Sequence, residues 1–512
     1  MNRFPMNLLK IVWIGLIVII ACSKKTTEPT SPPDDGGKGT EEPAPEETTL
    51  QTEDTFTNPL IPRGADPWVV QHNGMYYFTY TQGGKLVLYA THYMSELAAA
   101  ERHDAWVPPS GTSYSKNIWA PEMHRINGKW YIYFAADDGS NANHRMYVVE
   151  NSSEDPLQGE WVFKGKVADA TDQWAIDGTI LQYKGQLYMI WSGGNRGAAP
   201  QRLYIAKMND PWTISSDRIV ISEPTYPWEK NGNAINEGPE VLINPSGKVF
   251  VVYSGSGYWV DTYCLGLLSL QMDADPMNAA NWTKTPTPVF LMSNAAQVYG
   301  PGHNGFFKSS DGTEDWMIYH ARNLPKAGDN NPRKAHIQLF TWKADGTPSF
   351  GDPLKIGEPI KKPSGDPVRF IYPKDNWMIK GFSSEESKNS RFADKLIDGN
   401  TSTYWITRYS SNPTDYPNHW ITVDMGAEQD VDGFMIAQKA GDRKVKQIEI
   451  SVSMDNVTWN NVGVFYLNNV DTATQYLKLQ QQKNFRYFKL IPKTGHDAQK
   501  QPGLAEVGVF KF

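Results

Sequence analysis

Five copies of one short pattern constrain the fold of this chain more than any other feature of its sequence. Each copy has a turn centred on glycine, followed by a run rich in aromatic and β-branched residues, which is typical of a β-hairpin. The copies are HNGMYYFTY (72–80), INGKWYIYF (126–134), YKGQLYMIW (183–191), PSGKVFVVY (245–253) and the looser SSDGTEDWMIYH (309–320). They recur about every 50–65 residues, a repeat length typical of propeller blades. The sequence therefore predicts an all-β chain with a five-bladed β-propeller.

A polar motif precedes each of these hairpin units. In chain order the motifs are GADPWV, WAPEMH, AIDGTI, NEGPEV and GPGHNG. A strand ahead of the outer hairpin would be the innermost strand of a four-stranded blade, so these motifs should converge on the propeller axis. Five blades that deliver acidic side chains and one histidine to a common point predict an active site there.

Three carboxylates in these motifs are candidate catalytic groups. Asp66 lies in RGADPW, Asp177 in AIDGTI and Glu237 in NEGPE, each beside glycine or proline. Any one of them alone could be a turn residue, but their recurrence at equivalent places in three units favours a shared function. Glycoside hydrolysis uses one carboxylic acid to protonate the leaving oxygen and one carboxylate to activate water or attack carbon. A third carboxylate nearby can raise the pKa of the acid.

The chain from about residue 56 to 360 resembles glycoside hydrolase family 43, five-bladed propeller enzymes that cleave arabinosides, xylosides and related sugars with inversion. RGADPWV is similar to the family's general-base motif, WAIDGTI to that of its pKa-modulating aspartate and NEGPEVL to that of its general acid. The resemblance implies Asp66 as base, Asp177 as modulator and Glu237 as acid. Glu240 is a rival for the last role, but Glu237 precedes the Gly-Pro step as the family's acid does. Because the two face opposite ways on a strand, we expect at most one to point inward.

Three further motifs carry implied roles. GPGHNGF (300–306) resembles the fifth-blade motif whose histidine approaches a hydrated axial cation, often calcium, which implies this role for His303. The segment Tyr319–Arg322 resembles the one that supplies a substrate-binding arginine, here Arg322. IWAPEMH (118–124) resembles the second-blade motif, which makes Trp119 a candidate wall of the sugar pocket and Glu122 a structural residue.

The resemblance implies an exo-acting, inverting α-L-arabinofuranosidase that releases arabinose from plant-type polysaccharides or oligosaccharides and needs no cofactor for its chemistry. IWAPEMHRINGKWYIYFAA is more similar to the arabinofuranosidase branches than to the xylosidase ones. β-Xylosidase and galactofuranosidase activities stay open, because small changes in pocket walls shift sugar preference by only a few kcal/mol.

Two other classes of propeller fit the sequence less well. A sialidase would repeat the pattern Ser-x-Asp-x-Gly-x-Thr-Trp, whereas the nearest match, Ser453–Trp459, is one residue short and lies outside the propeller. A non-catalytic sugar-binding propeller would be favoured by the loss of one of the three acids, and all three are present.

The N-terminal region predicts export and lipidation. Arg3 and Lys10 form a short positive region ahead of an apolar stretch at 11–21, which is too short for a comfortable membrane span and fits a signal-peptide core. It ends in IIAC, which resembles a bacterial lipobox, so residues 1–22 are expected to be a lipoprotein signal peptide with Cys22 as the acylated residue. Residues 23–55 are rich in Pro, Thr and Glu and predict a disordered tether. We therefore expect a protein anchored by lipid in a bacterial cell envelope, at the outer membrane.

Charge and cysteine content limit the partners. The net charge is −7 and no basic block extends beyond Lys24-Lys25, which argues against a nucleic-acid partner. With Cys22 acylated, Cys264 is the remaining thiol and cannot form an internal disulfide; its strand-like surroundings predict a buried, inert side chain. We expect a monomer whose partners are a carbohydrate and, through its lipid, a membrane.

The chain after the propeller predicts a second domain. Residues 361–377 lie in a proline-rich stretch and are expected to be a linker, whereas 378–512 contain the short strand patterns HWITVDMG, VDGFMIAQ, VKQIEISVS, FRYFKLIP and AEVGVFKF. This second part resembles the discoidin-like, factor 5/8 type C fold found in carbohydrate-binding modules of family 32, a β-sandwich.

That resemblance implies a structural calcium ion. Asp398, Thr403 and Glu506 match the positions of its side-chain ligands, and oxygen donors suit this hard cation. Loop residues Tyr409, Tyr416 and His419 could stack on a sugar or could pack against the propeller, and the ligand of this domain is left open.

Overall fold

The computed structural model describes residues 49–328 and 330–512, and its regular structure is almost entirely strand. The helical segments of the described residues are short 3₁₀ turns: Met94–Ala99, Asn141–Asn143, Pro227–Glu229, Ala279–Asn281, Ser387–Asn389 and Ala393–Leu396. Among these residues no helix has the length and apolar character needed to cross a membrane. The predicted signal peptide (1–22) with Cys22, and residues 23–48 of the predicted tether, lie outside the described part of the chain.

Five antiparallel sheets follow one another along the chain, one for each predicted blade. Two short strands come first: β1 (Gln51–Glu53) and β2 (Thr55–Phe56). Blade 1 contains β3 (Trp68–His72), β4 (Met75–Thr79), β5 (Leu86–Thr91) and β6 (Arg102–Trp106). Blade 2 contains β7 (Lys116–Ile126), β8 (Lys129–Asp137), β9 (Arg145–Asn151) and β10 (Val162–Val167).

The remaining blades repeat this arrangement. Blade 3 contains β11 (Trp174–Tyr183), β12 (Gln186–Asn195), β13 (Ala198–Asp210), β14 (Thr213–Ile214) and β15 (Ile219–Ser222). Blade 4 contains β16 (Asn236–Ile243), β17 (Val249–Gly255), β18 (Cys264–Leu270) and β19 (Trp282–Lys284). Blade 5 contains β20 (Tyr299–Lys308), β21 (Asp315–Arg322), β22 (Lys334–Trp342) and β23 (Pro348–Ser349). The first strands of neighbouring blades contact one another, so they are the innermost strands, and the five-bladed propeller is confirmed.

The hairpin repeats form these blades because both faces of each sheet are buried. In β8 the side chains of Trp130, Ile132 and Phe134 pack into the apolar cluster between blades 1 and 2. The alternate side chains, Tyr131 and Tyr133, pack into the cluster between blades 2 and 3. Successive strand residues point to opposite faces, so an uninterrupted apolar run serves two interfaces at once. Similar clusters fill the other three blade interfaces.

The propeller ring is closed by the segment ahead of blade 1. Backbone pairing joins Ile61 to Ala335 of β22, and the Asn58 side chain exchanges hydrogen bonds with the Ile337 backbone. Just beyond blade 5, β24 (Ile360–Lys361) pairs with β2. The two ends of the propeller sequence are therefore fastened to each other. Cys264, on the third strand of blade 4, is buried as predicted.

The C-terminal domain is a β-sandwich around its own apolar core. Its strands are β25 (Arg369–Ile371), β26 (Met378–Phe382), β27 (Trp405–Ile406), β28 (Ile421–Gln438), β29 (Val445–Ser453), β30 (Asn460–Tyr466), β31 (Thr474–Gly495) and β32 (Gly503–Lys511). The long strands β28 and β31 pair along their whole length, with register shifts in the middle. The first part of β28 pairs with β26 and the last part with β32, so these long strands connect the pairings.

Two short strands differ from the expected tether and linker. Residues 51–53, within the predicted tether, form β1, and residues 369–371, within the predicted linker, form β25. The strand β1 pairs with β25, which pairs in turn with β32 at the edge of the C-terminal sheet. The tether and the linker were predicted from their proline content. Strands this short show no sequence pattern of their own, and they are stabilised by backbone hydrogen bonds to the edge of an existing sheet.

Candidate active site

Each polar motif lies where the backbone departs from regular strand geometry. The pairing register shifts between Trp119 and Glu122 in β7, between Ile176 and Thr179 in β11, and between Glu237 and Glu240 in β16. A bulge of this kind bends a strand and re-aims its side chains, and bulges are common beside active sites. Similar shifts occur in β20 between Tyr299 and Gly302 and between Gly302 and Gly305, the second of which spans His303.

Three of the predicted residues adopt a left-handed backbone conformation. The φ angles are 55° at Asp66, 55° at Asp177 and 43° at His303. Non-glycine residues adopt such angles at a cost of order 1–3 kcal/mol, and they cluster at functional sites. Gly238 has a φ of 52°, and a Cβ there would lie 3.0 Å from the His303 ring, so glycine is required beside Glu237.

The inner strands of the propeller surround a pocket of 340 Å³. The predicted residues Asp66, Trp119, Asp177, Glu237 and His303 all line it. The other lining residues are Thr81, Asn141, Trp174, Ile176, Gly197, Gln201, Asn233, Ile235, Tyr258, Trp259 and Arg333. The pocket therefore combines three carboxylates with a wall of aromatic side chains, as sugar chemistry requires.

The surroundings of Asp66 favour its ionised form. Arg333 Nη1 donates to Oδ1 at 2.6 Å and Thr81 Oγ1 donates to Oδ2 at 2.7 Å. The Nδ1 atoms of His303 and His320 lie 3.3 and 3.4 Å from Oδ1. Burial alone would raise the pKa of Asp66, but Arg333 and the two histidines more than offset it and hold the pKa well below its ordinary value.

The surroundings of Glu237 favour its protonated form. Burial raises the pKa of this carboxyl to about 7, and the negative charge of Asp66 acts in the same direction. The Tyr263 hydroxyl donates to Glu237 Oε1 at 2.8 Å, which opposes this rise but fixes the side chain. The Tyr263 ring is stacked on that of His320. Two carboxyls of one pocket thus have pKa values moved in opposite directions.

Asp177 couples the third blade to the fourth. Its Oδ2 accepts a hydrogen bond of 3.0 Å from the backbone N–H of Gly238, the residue that follows Glu237. Burial raises the pKa of Asp177 to about 7; the charge of Glu237 adds to this effect, while His303 opposes it. Asp177 therefore both orients the peptide next to Glu237 and shares its electrostatic environment.

A second pair of buried carboxyls, Glu122 and Glu240, lies on inner strands but does not line the pocket. Burial raises the pKa of Glu122 to about 8 and that of Glu240 well above its ordinary value, and the charge of Glu122 contributes to the latter. His124 Nε2 lies 3.0 Å from Glu122 Oε2, and burial lowers the pKa of this histidine to about 3. Of the two rival acids, Glu237 faces the pocket and Glu240 does not.

Arg322 is not where the sequence prediction placed it. Its side chain is 1% exposed and donates to the carbonyl oxygens of Tyr258 and Val260 and to Asp261 Oδ1. Both Nη atoms are engaged by this loop, and Nε is buried without a partner, so Arg322 supports the pocket wall instead of lining the pocket. The arginine that lines the pocket is Arg333, whose guanidinium lies 4.5 Å from the centre of the Tyr258 ring.

Several pocket residues escaped the sequence analysis. Trp174 stands directly ahead of the Asp177 motif and could have been found from it. Tyr258, Trp259 and Arg333 lie in loops between strands, where no repeated pattern marks them. Trp119 was predicted, and its ring is stacked on that of His144 with 4.0 Å between the centroids.

The polar residues near His303 fit a hydrated axial cation. Within the residues that the structure describes, no group of three or more His, Cys, Asp or Glu side chains is arranged to hold a metal directly. The amide Oδ1 and Nδ2 of Asn304, the residue after His303 on the inner strand β20, are buried without protein partners. Buried polar atoms of this kind are usually satisfied by water, and a cation that keeps its water shell suits them.

The predicted calcium ligands of the sandwich also fit a hard cation. Both carboxylate oxygens of Asp398 accept from Thr403 Oγ1, at 2.9 and 2.7 Å. Glu506 Oε1 pairs with the Lys374 ammonium, while Glu506 Oε2 is buried without a partner. Burial raises the pKa of Glu506; the charge of Lys374 opposes this and that of Asp398 adds to it, so the two carboxylates lie near each other.

Of the three loop residues considered for sugar binding by the sandwich, His419 and Tyr409 make hydrogen bonds within the domain. His419 is buried, and its Nε2 hydrogen-bonds the Lys500 carbonyl oxygen. The Tyr416 hydroxyl is buried without a partner. Tyr409 receives an Asn389 side-chain hydrogen bond and lies against the Arg443 guanidinium.

Comparison with known proteins agrees with this geometry. The sequence matches the family model for glycosyl hydrolases family 43 over residues 56–348 and that for the F5/8 type C domain over residues 380–507. An extracellular exo-α-(1→5)-L-arabinofuranosidase of Streptomyces avermitilis is 43% identical, over 62% of this chain and 66% of its own length. α-L-Arabinofuranosidase 43 of Humicola insolens is 37% identical, over 70% of this chain and 78% of its own.

Solved structures show the same folds. The crystal structure of an α-L-arabinofuranosidase from Lactobacillus brevis is 35% identical with a TM-score of 0.56, covering 59% of this chain and 98% of that one. A structure described as a glycoside hydrolase covers 89% of this chain and 99% of its own at 21% identity and a TM-score of 0.51, a likeness of fold alone. This chain therefore belongs to glycosyl hydrolases family 43, and it carries a C-terminal F5/8 type C domain.

Proposed function

We propose that this glycoside hydrolase is an exo-acting, inverting α-L-arabinofuranosidase that releases arabinose from plant-type polysaccharides or oligosaccharides. The observation that carries the proposal is the convergence of Asp66, Asp177 and Glu237 from three blades on one aromatic-walled pocket. The curated relatives described above are named arabinofuranosidases, which favours arabinose over the other sugars. β-Xylosidase and galactofuranosidase activities are the alternatives within the family.

In the proposed mechanism Asp66 is the general base and Glu237 the general acid. Asp66, held ionised by Arg333, takes a proton from a water molecule while the oxygen of that water attacks the anomeric carbon. Glu237 gives its proton to the glycosidic oxygen on the opposite face, and the bond from that oxygen to the anomeric carbon breaks. The products are a free sugar of inverted configuration and the alcohol, with Asp66 protonated and Glu237 ionised. Exchange of these protons with solvent restores the enzyme.

Asp177 is the proposed modulator. Its hydrogen bond from the Gly238 N–H orients the peptide beside Glu237, and the charge of Glu237 raises the pKa of Asp177, so that the two carboxyls disfavour simultaneous ionisation. We propose Trp119, together with Trp174 and Trp259, as the surface on which the sugar ring rests, and Arg333 in place of Arg322 as the arginine nearest the substrate.

Two cations are proposed as structural partners. A hydrated calcium ion near His303 would supply positive charge that favours the ionised form of the neighbouring Asp66. A second calcium ion, held by Asp398, Thr403 and Glu506, would fix the first loop of the sandwich to its last strand. Calcium should raise the melting temperature and a chelator should lower it. Asp398→Asn should abolish the share of this calcium-dependent rise that comes from the ion in the sandwich.

The proposed location is a bacterial outer membrane, with lipid on Cys22, a tether that ends before β1 at Gln51 and a monomeric enzyme beyond it. Two of the arabinofuranosidase relatives are described as extracellular. Cys22→Ala should release or mislocalise the protein in cell fractionation. An unchanged membrane fraction would mean that acylation of Cys22 is not the anchor.

The test of function is a panel of aryl α-L-arabinofuranoside, β-D-xylopyranoside and β-D-galactofuranoside, followed by proton NMR of the first-formed sugar anomer. We expect the arabinofuranoside to be cleaved fastest, with β-arabinose appearing first because an α-linkage is inverted. Faster cleavage of either other glycoside would select the corresponding alternative. First appearance of α-arabinose would mean retention and would remove Asp66 from the role of base.

A further inference from the structure

A second cavity lies between the propeller and the sandwich. It has a volume of 530 Å³ and shares no lining residue with the catalytic pocket. One wall is the segment 90–100 of blade 1, and the other is formed by β30, β31 and the end of the chain. Ligand cavities measure about 300–1,000 Å³ and are frequent at domain interfaces, so this cleft has the size and position of a binding site.

The cleft presents several aromatic rings to the solvent. Tyr466 and Phe512 line it and are each 48% exposed, and Tyr93 and Tyr476 are partly exposed beside them. Aromatic side chains held open in this way offer flat apolar faces, which are suited to the C–H faces of sugar rings. Phe510, buried beneath, packs edge-on against both Tyr476 and Phe512 and holds the array in place.

The floor of the cleft is polar, and its Arg369 and Glu96 side chains neutralise each other, while Lys478 also lines the cleft and lies over the Phe512 ring. Arg369 donates to Glu96 Oε1 at 2.6 Å and to Glu53 Oε2 at 3.2 Å. Its guanidinium lies 3.6 Å from the centre of the Tyr476 ring, and its Nε is buried without an acceptor. Asn468 and Gln475 add amide groups to the same lining. Paired charges and amides suit the hydroxyl groups of a neutral ligand better than they suit an ionic one.

The walls of the cleft are fixed to each other across the domain boundary. Asn468 Nδ2 donates to the Ala99 carbonyl oxygen at 2.8 Å, and the Tyr466 hydroxyl donates to Glu101 Oε2. The cleft also adjoins a smaller depression of 280 Å³, which shares His92 and Tyr93 with it. A preformed groove of this extent fits several linked sugar rings better than a single one.

We propose that this cleft is an accessory binding site for a neutral oligosaccharide, separate from the catalytic pocket. It would hold part of a polymeric substrate by stacking on Tyr93, Tyr466 and Phe512 and by hydrogen bonds to Asn468 and the Arg369–Glu96 pair. Because both domains contribute walls, the site requires the full chain.

The direct test is titration calorimetry with α-1,5-arabinotriose on the full chain carrying Glu237→Gln to stop hydrolysis. We expect two binding events per chain. Combining Tyr466→Ala with Phe512→Ala should weaken the second event at least tenfold without changing the first event, and the loss of the Tyr466–Glu101 hydrogen bond should lower the melting temperature slightly. Ala99→Trp, which fills the cleft while leaving its aromatic residues in place, should have the same effect. Trp420→Ala is the matched control, since Trp420 is 38% exposed on the same domain and lies outside the cleft.

The outcomes separate this site from the proposed function. If the trisaccharide does not enter the catalytic pocket, one binding event remains, and its loss in the cleft variants still supports the accessory site. Binding that is unchanged in both cleft variants would overturn the accessory site. So would binding that Trp420→Ala weakens equally, and so would the absence of any binding. With active enzyme, the cleft variants should lower kcat/KM on linear arabinan several-fold and leave that on aryl arabinofuranoside unchanged.

Discussion

Two groups of buried carboxyls in the propeller differ in their partners rather than in their burial. Asp66 and Glu237 in the pocket are 7% exposed, and Glu122 and Glu240 outside it are 3% and 4% exposed. Asp66 is paired with Arg333, which lowers its pKa, whereas the pKa values of the other three are raised chiefly by burial. A base and an acid can therefore operate in one pocket because Arg333 and the histidines beside Asp66 offset a burial that dominates at Glu237.

The largest effect should come from removing the two groups on which this difference rests. Asp66→Asn and Glu237→Gln should each lower kcat on an aryl arabinofuranoside with a poor leaving group by about 10²–10⁴-fold, the usual contribution of general acid–base catalysis. Glu240→Gln is the control at the same bulge and should retain most of the activity. A large loss in Glu240→Gln with little loss in Glu237→Gln would exchange the roles of the two.

A smaller effect should follow when Arg333 is replaced by methionine. Without the guanidinium, burial would dominate and the pKa of Asp66 would rise, so the base would become protonated at a higher pH. The acidic limb of the kcat/KM profile should therefore move to higher pH, and each unit of movement corresponds to about 1.4 kcal/mol. Arg322→Met should alter stability instead, because that side chain holds the loop 258–261. If the acidic limb of Arg333→Met stays at the same pH, Arg333 does not set the pKa of Asp66.

The smallest effect should be on stability, from the pair outside the pocket. The raised pKa values of Glu122 and Glu240 mean that the folded chain retains protons that the unfolded chain loses, so stability falls as pH rises through about 4 to 8. The slope is at most about 1.4 kcal/mol per pH unit for each proton retained. Glu122→Gln should flatten this slope in denaturant titrations between pH 5 and 8. The same slope in the variant and the parent would show that Glu122 is ionised in the folded chain.

The sequence was sufficient for the features that are built locally. Asp66, Asp177, Glu237, Trp119 and His303 were found because each lies in a turn or bulge whose glycine and proline neighbours are visible in the chain. All five line the pocket, as convergence on the axis predicted. The blades themselves were predictable because a run such as that in β8 must bury both faces.

The sequence was insufficient where a residue's role depends on a distant partner. Arg333 contacts Asp66 across 267 residues, from a segment with no repeated pattern. Arg322 looked equivalent by motif, but the loop 258–261 uses its donors. The strands β1 and β25 were missed for the same reason, since pairing between residues 51–53 and 369–371 is what makes them strands.

The central claim is that Asp66 is ionised and Glu237 protonated in the same pocket, and the pH dependence of kcat/KM tests it most directly. The free enzyme should give a bell-shaped profile with an alkaline limb near pH 7, set by Glu237 and coupled to Asp177, and an acidic limb well below it, set by Asp66. With 2,4-dinitrophenyl α-L-arabinofuranoside, whose leaving group needs no proton, Glu237→Gln should retain the acidic limb and lose the alkaline one. Persistence of the alkaline limb in Glu237→Gln, and its loss in Glu240→Gln, would contradict the claim.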